Sequence, residues 1–208
     1  EKHFAEVGKT ARNLGVRLSF HPGQFTVLAS ESDDIINRSI EEFEYHVNMA
    51  RWMGYGKTFQ DFKINVHISG RRGPQGIIDV LPRLSPEARN TLTIENEEMK
   101  WGLDDVLQLQ KHVALVFDIH HHWVNCGEWI SVDDDRIKRI IDSWRGVRPA
   151  MHYSQPRESL HNKVDASKLL DREDLFTQGE NRATIRAHSD YYWHKPTNDW
   201  LKPFGEYF

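Results

Sequence analysis

The chain has 208 residues, of which 38% are hydrophobic and 28% charged, and a formal net charge of −4. That length supports one sizeable core and is too short for two ordinary domains with a linker. No apolar run reaches the roughly 20 residues that a helix needs to cross a bilayer, so no membrane-spanning helix is expected. One cysteine, Cys126, excludes an internal disulfide framework and fits a reducing compartment. The mild acidity does not exclude a nucleic-acid partner, because net charge is blind to a local basic patch and metal ions neutralise the carboxylates that hold them. The chain opens Glu1-Lys2-His3, with no signal-peptide pattern to argue for export. Its unusual count is 12 histidines.

In chain order, residues 4–14 carry a helical pattern and 16–20 a short β-type run. Residues 33–53 predict a long helix, with Ser32 or Asp33 as the cap, the periodic apolar set Ile35, Ile36, Ile40, Phe43 and Val47, and Gly54 as the stop. A second β-type run, 63–68, leads into helical segments at 76–84 and 85–89, the latter with Pro86 after Ser85. Further runs at 91–94, 113–117 and 147–153 alternate with helices expected at 101–112 and 133–143. Residues 155–186 are polar and irregular and read as one long loop. Short β-branched runs separated by helices make βα units and a parallel sheet. The absence of a glycine-rich phosphate loop after the first strand favours a barrel over a dinucleotide-binding sheet. The expected class is therefore α/β, a TIM (β/α)8-type barrel. Because eight strands take about 250 residues, the chain is read as lacking the first strands and the last strand. Residues 1–208 read as one partial barrel domain of xylose isomerase-like type.

Each β-type run ends in a residue that binds metals: His21, His67, Glu95, Asp118 with His121 three residues on, and His152. In a parallel barrel these ends converge on one face, where active sites sit. One histidine at a strand end is ordinarily structural. Six suitable residues at five successive ends are hard to explain as packing, because buried imidazoles and carboxylates need costly compensation. Imidazole and carboxylate without thiolate suit Mn²⁺, Zn²⁺ or Fe²⁺. A carboxylate such as Glu95 can bridge two ions about 3.5–4 Å apart, the spacing used in phosphoryl displacement. The strand ends thus point to hydrolysis of a phosphate ester or to metal-assisted sugar isomerisation, with Glu95, Asp118 and His121 as the catalytic core.

The segments His21-Pro22-Gly23-Gln24, Ile94-Glu95-Asn96-Glu97, Phe117-Asp118-Ile119-His120-His121-His122, Met151-His152-Tyr153-Ser154 and His188-Ser189-Asp190-Tyr191, in that order, resemble those of the UV damage endonuclease family. The resemblance implies a TIM barrel with two or three divalent ions, generally Mn²⁺, at its C-terminal face. It further implies damaged double-stranded DNA as substrate, nicked directly 5′ to UV photoproducts and abasic sites. A monomeric repair enzyme, with no membrane role, is expected beside the nucleoid in the cytoplasm, or in the nucleus of a eukaryote. His21, His67, Glu95, Asp118, His121, His152 and His188 match the family's metal-binding residues. Gln24 and Phe25 match the pair that wedges into the duplex, a device suited to damaged bases because they unstack cheaply. Two departures stand out: Ala150 occupies the place of a family lysine, and the family's final glutamate ligand lies beyond Phe208, so the chain reads as an excerpt of a longer protein. Two relatives of the strand-end pattern remain as alternatives. They are an endonuclease IV-like abasic-site endonuclease, with an Asp-x-x-His pair like Asp118 and His121, and a xylose isomerase-like sugar isomerase, which has no use for Gln24-Phe25 at its rim.

The other polar residues sort less sharply. Arg71 and Arg72 lie in a glycine-rich turn after His67, either solvated or in contact with phosphate. Ser154, beside His152, is a candidate DNA contact. His120 and His122 flank His121 and, on an extended segment, would point away from it. His46 reads as a helix-surface or packing residue. His3, His112, His161 and His194 read as solvated, and Cys126 as inert.

Overall fold

The structure is a computed structural model that describes residues 1–60 and 62–208. Among these, five strands form one sheet in sequence order: β1 (Ser19–Phe20), β2 (Lys63–His67), β3 (Leu92–Glu95), β4 (Ala114–Asp118) and β5 (Met151–His152). All four pairings are parallel. Every crossover carries helix: α2 (Asp33–Trp52), then α3 (Gly73–Val80) and α4 (Pro86–Thr91), then α5 (Leu103–Val106), then α6 (Ile119–Cys126) and α7 (Asp135–Ser143), with α1 (Lys2–Asn13) ahead of β1. The sheet curls until its outer strands approach each other. Arg17 Nη1, ahead of β1, donates to the Arg148 carbonyl ahead of β5 at 2.9 Å, and the rings of His21 and His152 stack at 5.7 Å. The α/β class and the curled half-barrel agree with the sequence reading.

The pleat divides each central strand between two environments. Ile64 and Val66, Leu92 and Ile94, and Leu115 and Phe117 face the helices and join the main core with Phe43, Val47, Ile77, Ile137 and Ile140. The alternate residues line the concave side, where Ala114 and Val116 pack on Trp144, whose indole N–H donates to the Leu115 carbonyl at 2.7 Å. Burial on both faces is what makes these strands read as continuous apolar runs.

Several boundaries differ from expectation for identifiable reasons. β5 is two residues instead of seven, since Pro149 has no N–H to give the ladder. β1 is likewise short, an edge strand with one neighbour. The helix expected at 101–112 is one α-turn that tightens into a 3₁₀ turn at Leu107–Leu109. On α2, Ile36, Phe43 and Val47 are buried, but Ile35 is 43% exposed and belongs to the solvent face. The loop expected at 155–186 is more ordered than its composition suggests. It contains a 3₁₀ turn (Glu158–Lys163), α8 (Arg172–Thr177) and α9 (Arg182–Ile185), capped by Asp171 and Asn181, which accept from N–H groups two or three residues on. Its Leu160, Leu170, Leu175 and Ile185 form a second core on Trp123 and Val124. The helix α10 (Lys195–Leu201) follows.

Truncating Phe43, with no exposed surface, removes its contacts and leaves a cavity. Phe43→Ala is expected to cost about 3–5 kcal/mol in urea denaturation, and Ile35→Ala, eight residues earlier on the same helix, under about 1 kcal/mol.

Candidate metal centre

Strand register places the ligand-type residues side by side. Pairing of β2 with β3 sets His67 beside Glu95, and pairing of β4 with β5 sets Asp118 beside His152. His21 directly follows β1. All of them, with His121 and His188, line one cavity of about 480 Å³ at the C-terminal ends of the strands, which Ser154 and Tyr192 share.

At its centre is the Glu95 carboxylate, which has no exposed surface. Its two oxygens face different imidazole sets. Oε2 lies 3.5 Å from His21 Nε2 and 4.0 Å from His67 Nε2. Oε1 accepts from His152 Nδ1 at 3.0 Å and lies 3.5 Å from His121 Nδ1. Asn65, two residues before His67 and therefore on the same face of β2, donates its amide to Oε2, and Thr93 Oγ1 fixes that amide by donating to Asn65 Oδ1 at 2.9 Å. Burial alone would raise the Glu95 pKa. Hydrogen bonds from His152 and His21, with the charges of His152 and His67, instead hold it well below the usual carboxylate range. His152 mirrors this: burial pulls it down, but Glu95 and Asp118 raise it above the usual imidazole value. His67 is lowered, burial outweighing the pull of Glu95.

Asp118 ends β4 and caps α6, its Oδ1 accepting from the His121 N–H at 2.8 Å. Asn96 clamps the same residue across the sheet: its Oδ1 accepts from the Asp118 N–H and its Nδ2 donates to the Asp118 carbonyl, both at 2.9 Å. The Asn96 carbonyl then accepts from His121 Nδ1 at 3.0 Å, leaving Nε2 free to serve as a ligand. His121 Nε2 lies 3.8 Å from Glu98 Oε2, while Glu98 Oε1 pairs with Arg186 at 2.9 Å. His121 is raised: Asp118 and Glu95 overcome the lowering by burial. Burial pushes Asp118 up to about 6, the Glu95 charge adding to that rise against His121. His188 sits at the rim, its ring 5.9 Å from that of His121.

Two triads within this cluster have donor atoms close enough to share an ion: His21, His67 and Glu95; and Glu95, Asp118 and His121. Glu95 belongs to both. The mixed imidazole–carboxylate set, free of thiolate, is the chemistry that suits Mn²⁺, Zn²⁺ or Fe²⁺.

The outer residues are distributed around this centre. Gln24 and Phe25 are the central residues of a turn closed by the Thr26 N–H to Gly23 carbonyl bond at 3.1 Å. Phe25 is 84% exposed, and Gln24 borders a cavity beside the centre together with His67, Glu98 and Arg186. Arg71 is exposed and lies 3.4 Å from Glu31, whereas Arg72 is paired with Asp79. Ala150 packs against the Trp144 cluster below the site. Tyr191 and Tyr192 are mostly exposed.

Three histidine readings need correction. Residues 119–126 are helical, so His120 and His122 are spread by helical rotation, not by strand alternation. His120 is buried, with Nε2 donating to the Ile185 carbonyl at 2.9 Å and Nδ1 accepting from Ser154 Oγ at 3.0 Å. Burial, then the His188 charge, take its pKa down to about 3, so it ties the 155–186 segment to α6 as a neutral ring. Ser154 accordingly spends its proton on His120. His194 is buried and bonded to Thr197 at 2.8 Å, not solvated. Asn65, Asn96, Glu98 and Arg186 went unrecognised in the sequence. The two-residue spacing of Asn65 and His67, and the run Glu95-Asn96-Glu97-Glu98, were the available signals for three of them.

The family model described as UV-endonuclease UvdE matches residues 1–188. A UV DNA damage endonuclease of Bacillus velezensis is 29% identical over 191 residues, covering 85% of this chain and 58% of the relative. A UV-damage endonuclease of Neurospora crassa is 29% identical over 182 residues, 79% of this chain and 28% of the relative. The chain thus spans little more than half the length of one of these relatives and under a third of the other. The crystal structure of SacUVDE superposes with a TM-score of 0.66 at 23% identity, over 97% of this chain and 71% of that one, which supports the fold.

The Asp118 shift has a testable sign. A carboxyl raised from 3.8 to about 6 stabilises the metal-free fold fully below its unfolded value and loses that contribution as pH rises through about 6. Asn keeps the α6 cap without the charge. Metal-free Asp118→Asn is therefore expected to exceed the wild type by about 1–3 kcal/mol at pH 8 in urea denaturation, the gap closing towards pH 4.

Proposed function

The chain belongs to the UV-endonuclease UvdE family, and on that premise we propose that it carries the metal centre of a DNA repair endonuclease that cuts the backbone immediately 5′ to UV photoproducts and abasic sites. The observation that carries this reading is the division of one buried carboxylate, Glu95, between two imidazole sets. His21, His67 and Glu95 would hold one divalent ion, and Glu95, Asp118 and His152 a second, with His121 contributing through Nε2 from the Glu98 side and His188 available at the rim. Such ions, Mn²⁺ in this reading, would supply Lewis-acid activation of water and charge neutralisation on the phosphate.

The residues of the chain account for the rest. Asn65 and Asn96 keep Glu95 and Asp118 in register before any substrate arrives, so little reorganisation accompanies binding. His121 keeps Nε2 open because Nδ1 is committed to the Asn96 carbonyl. Phe25, 84% exposed on its turn, would act as the wedge, with Gln24 beside it at the cavity edge. Recognition by a stacking wedge responds to how easily a site unstacks, which fits damage of several chemistries better than a base sequence. Arg71, exposed and loosely paired with Glu31, would reach a phosphate with little loss, whereas Arg72 would first have to leave Asp79. Tyr192, exposed at the cavity margin, offers a second stacking face.

The test is a nicking assay with Mn²⁺ on duplexes carrying one thymine photodimer, one abasic site or no lesion. Cleavage directly 5′ of the dimer is expected, abolished by chelation and reduced at least about a hundredfold by Glu95→Gln. Phe25→Ala is expected to weaken binding of the damaged duplex by about 1–3 kcal/mol while leaving Mn²⁺ affinity unchanged. Cleavage of the abasic duplex alone would favour the endonuclease IV-like reading. Failure of the full-length, folded, Mn²⁺-loaded protein to cut either lesion would overturn the proposal.

A further inference from the structure

Towards the C-terminal end of α6, three side chains unrelated to the proposed chemistry converge. His122 and Cys126 are four residues apart and therefore stack on one helix face. Gly127 ends the helix in the left-handed region at φ 81°, its N–H donating to the Trp123 carbonyl at 2.7 Å, and this reversal brings Glu128 back onto the same face. His122 Nε2 lies 3.5 Å from Cys126 Sγ and 3.3 Å from Glu128 Oε2, and the three donor atoms all fall within 4.8 Å of one another.

Those separations are compatible with one shared ion, although Cys126 Sγ also lies 3.7 Å from His122 Nδ1. Zinc bonds of roughly 2.0 Å to nitrogen or oxygen and 2.3 Å to sulfur, at a tetrahedral angle, put sulfur and nitrogen donors roughly 3.5 Å apart and nitrogen and oxygen donors roughly 3.3 Å apart. We propose that His122, Cys126 and Glu128 form a second divalent-cation site of the Zn²⁺ class, distinct from the cluster around Glu95.

The surroundings suit that role. The His122 ring is buried against Phe117, with centroids 5.7 Å apart, which fixes its orientation. Arg136 grips Glu128 through two bonds, at 2.9 and 2.7 Å, and is itself neutralised by Asp134 at 2.9 Å, so it aims the carboxylate without leaving excess positive charge at the site. The Glu128 oxygen facing His122 has a second lone pair to give. Cys126 donates its thiol proton to the His122 carbonyl at 3.2 Å. Binding would release that proton to solvent, and thiolate plus carboxylate would then cancel the charge of a divalent ion. The thiolate separates the two sites chemically, since a soft sulfur ligand prefers Zn²⁺-class ions while the Glu95 cluster offers none. An ion here would pin the C-terminal end of the helix whose N-terminal end carries Asp118 and His121.

Cobalt reports the site selectively, because Cys126 is the single cysteine of the chain and only thiolate ligation gives a near-ultraviolet sulfur-to-cobalt charge-transfer band. Co²⁺ added to the metal-free protein is expected to produce that band, Zn²⁺ in excess of all three candidate sites to bleach it, and Cys126→Ser to lack it. Glu95→Gln should retain the band with unchanged affinity, and Glu128→Gln should bind at least about tenfold more weakly. Absence of the band in the wild type at saturating Co²⁺, its loss in Glu95→Gln, or unaltered affinity in Glu128→Gln would each overturn the assignment.

Discussion

A carboxylate with no exposed surface, ringed by imidazoles, sets the terms for the rest of this molecule. Removing an ionised carboxylate from water costs several kcal/mol unless charges and donors replace the lost hydration. Glu95 recovers it from Asn65, His152 and the neighbouring rings, and keeps its charge. Those partners come from β1, β2, β5 and α6, so the carboxylate is satisfied only when the strands adopt this register. The polar centre and the packing of the half-barrel therefore specify one another. In the central strands one set of apolar residues buries towards the helices, while Asn65, His67, Glu95 and Asp118 meet on the other side.

Asp118 shows what that arrangement leaves unresolved. It lies in the same pocket as Glu95, and the two carboxyls shift in opposite directions, Glu95 well down and Asp118 up to about 6. Two buried carboxylates with opposed shifts are a common mark of a site arranged for chemistry over stability. Asn96 and the α6 N-terminus hold Asp118 in place regardless of its charge. A divalent cation between Glu95 and Asp118 would remove the conflict, making the fold most stable with the ion bound.

Much of this was legible in the sequence, because strand periodicity and strand ends are local features. The runs ending at His21, His67, Glu95, Asp118 and His152 marked both the sheet and the convergence point, and the structure brings all five into one cavity. Features that depend on tertiary contact were not legible. Whether residues 119–126 continue the strand or turn into a helix depends on Asp118 capping α6, and that choice decides where His120 and His122 point. His194 looks solvated until the segment around it packs, and the 155–186 segment gains its order from burial against Trp123 as much as from its caps. Glu98 lies beyond the end of β3, and only the fold sets it against His121 and Arg186.

The central claim, that Glu95 bridges a divalent metal centre, is tested most directly by anomalous X-ray scattering at the manganese edge from crystals equilibrated with Mn²⁺. The account predicts peaks within coordination distance of both Glu95 oxygens, one towards His21 and His67 and one towards Asp118 and His152, absent in Glu95→Gln. Manganese peaks only elsewhere in the molecule, or none at all, would contradict it.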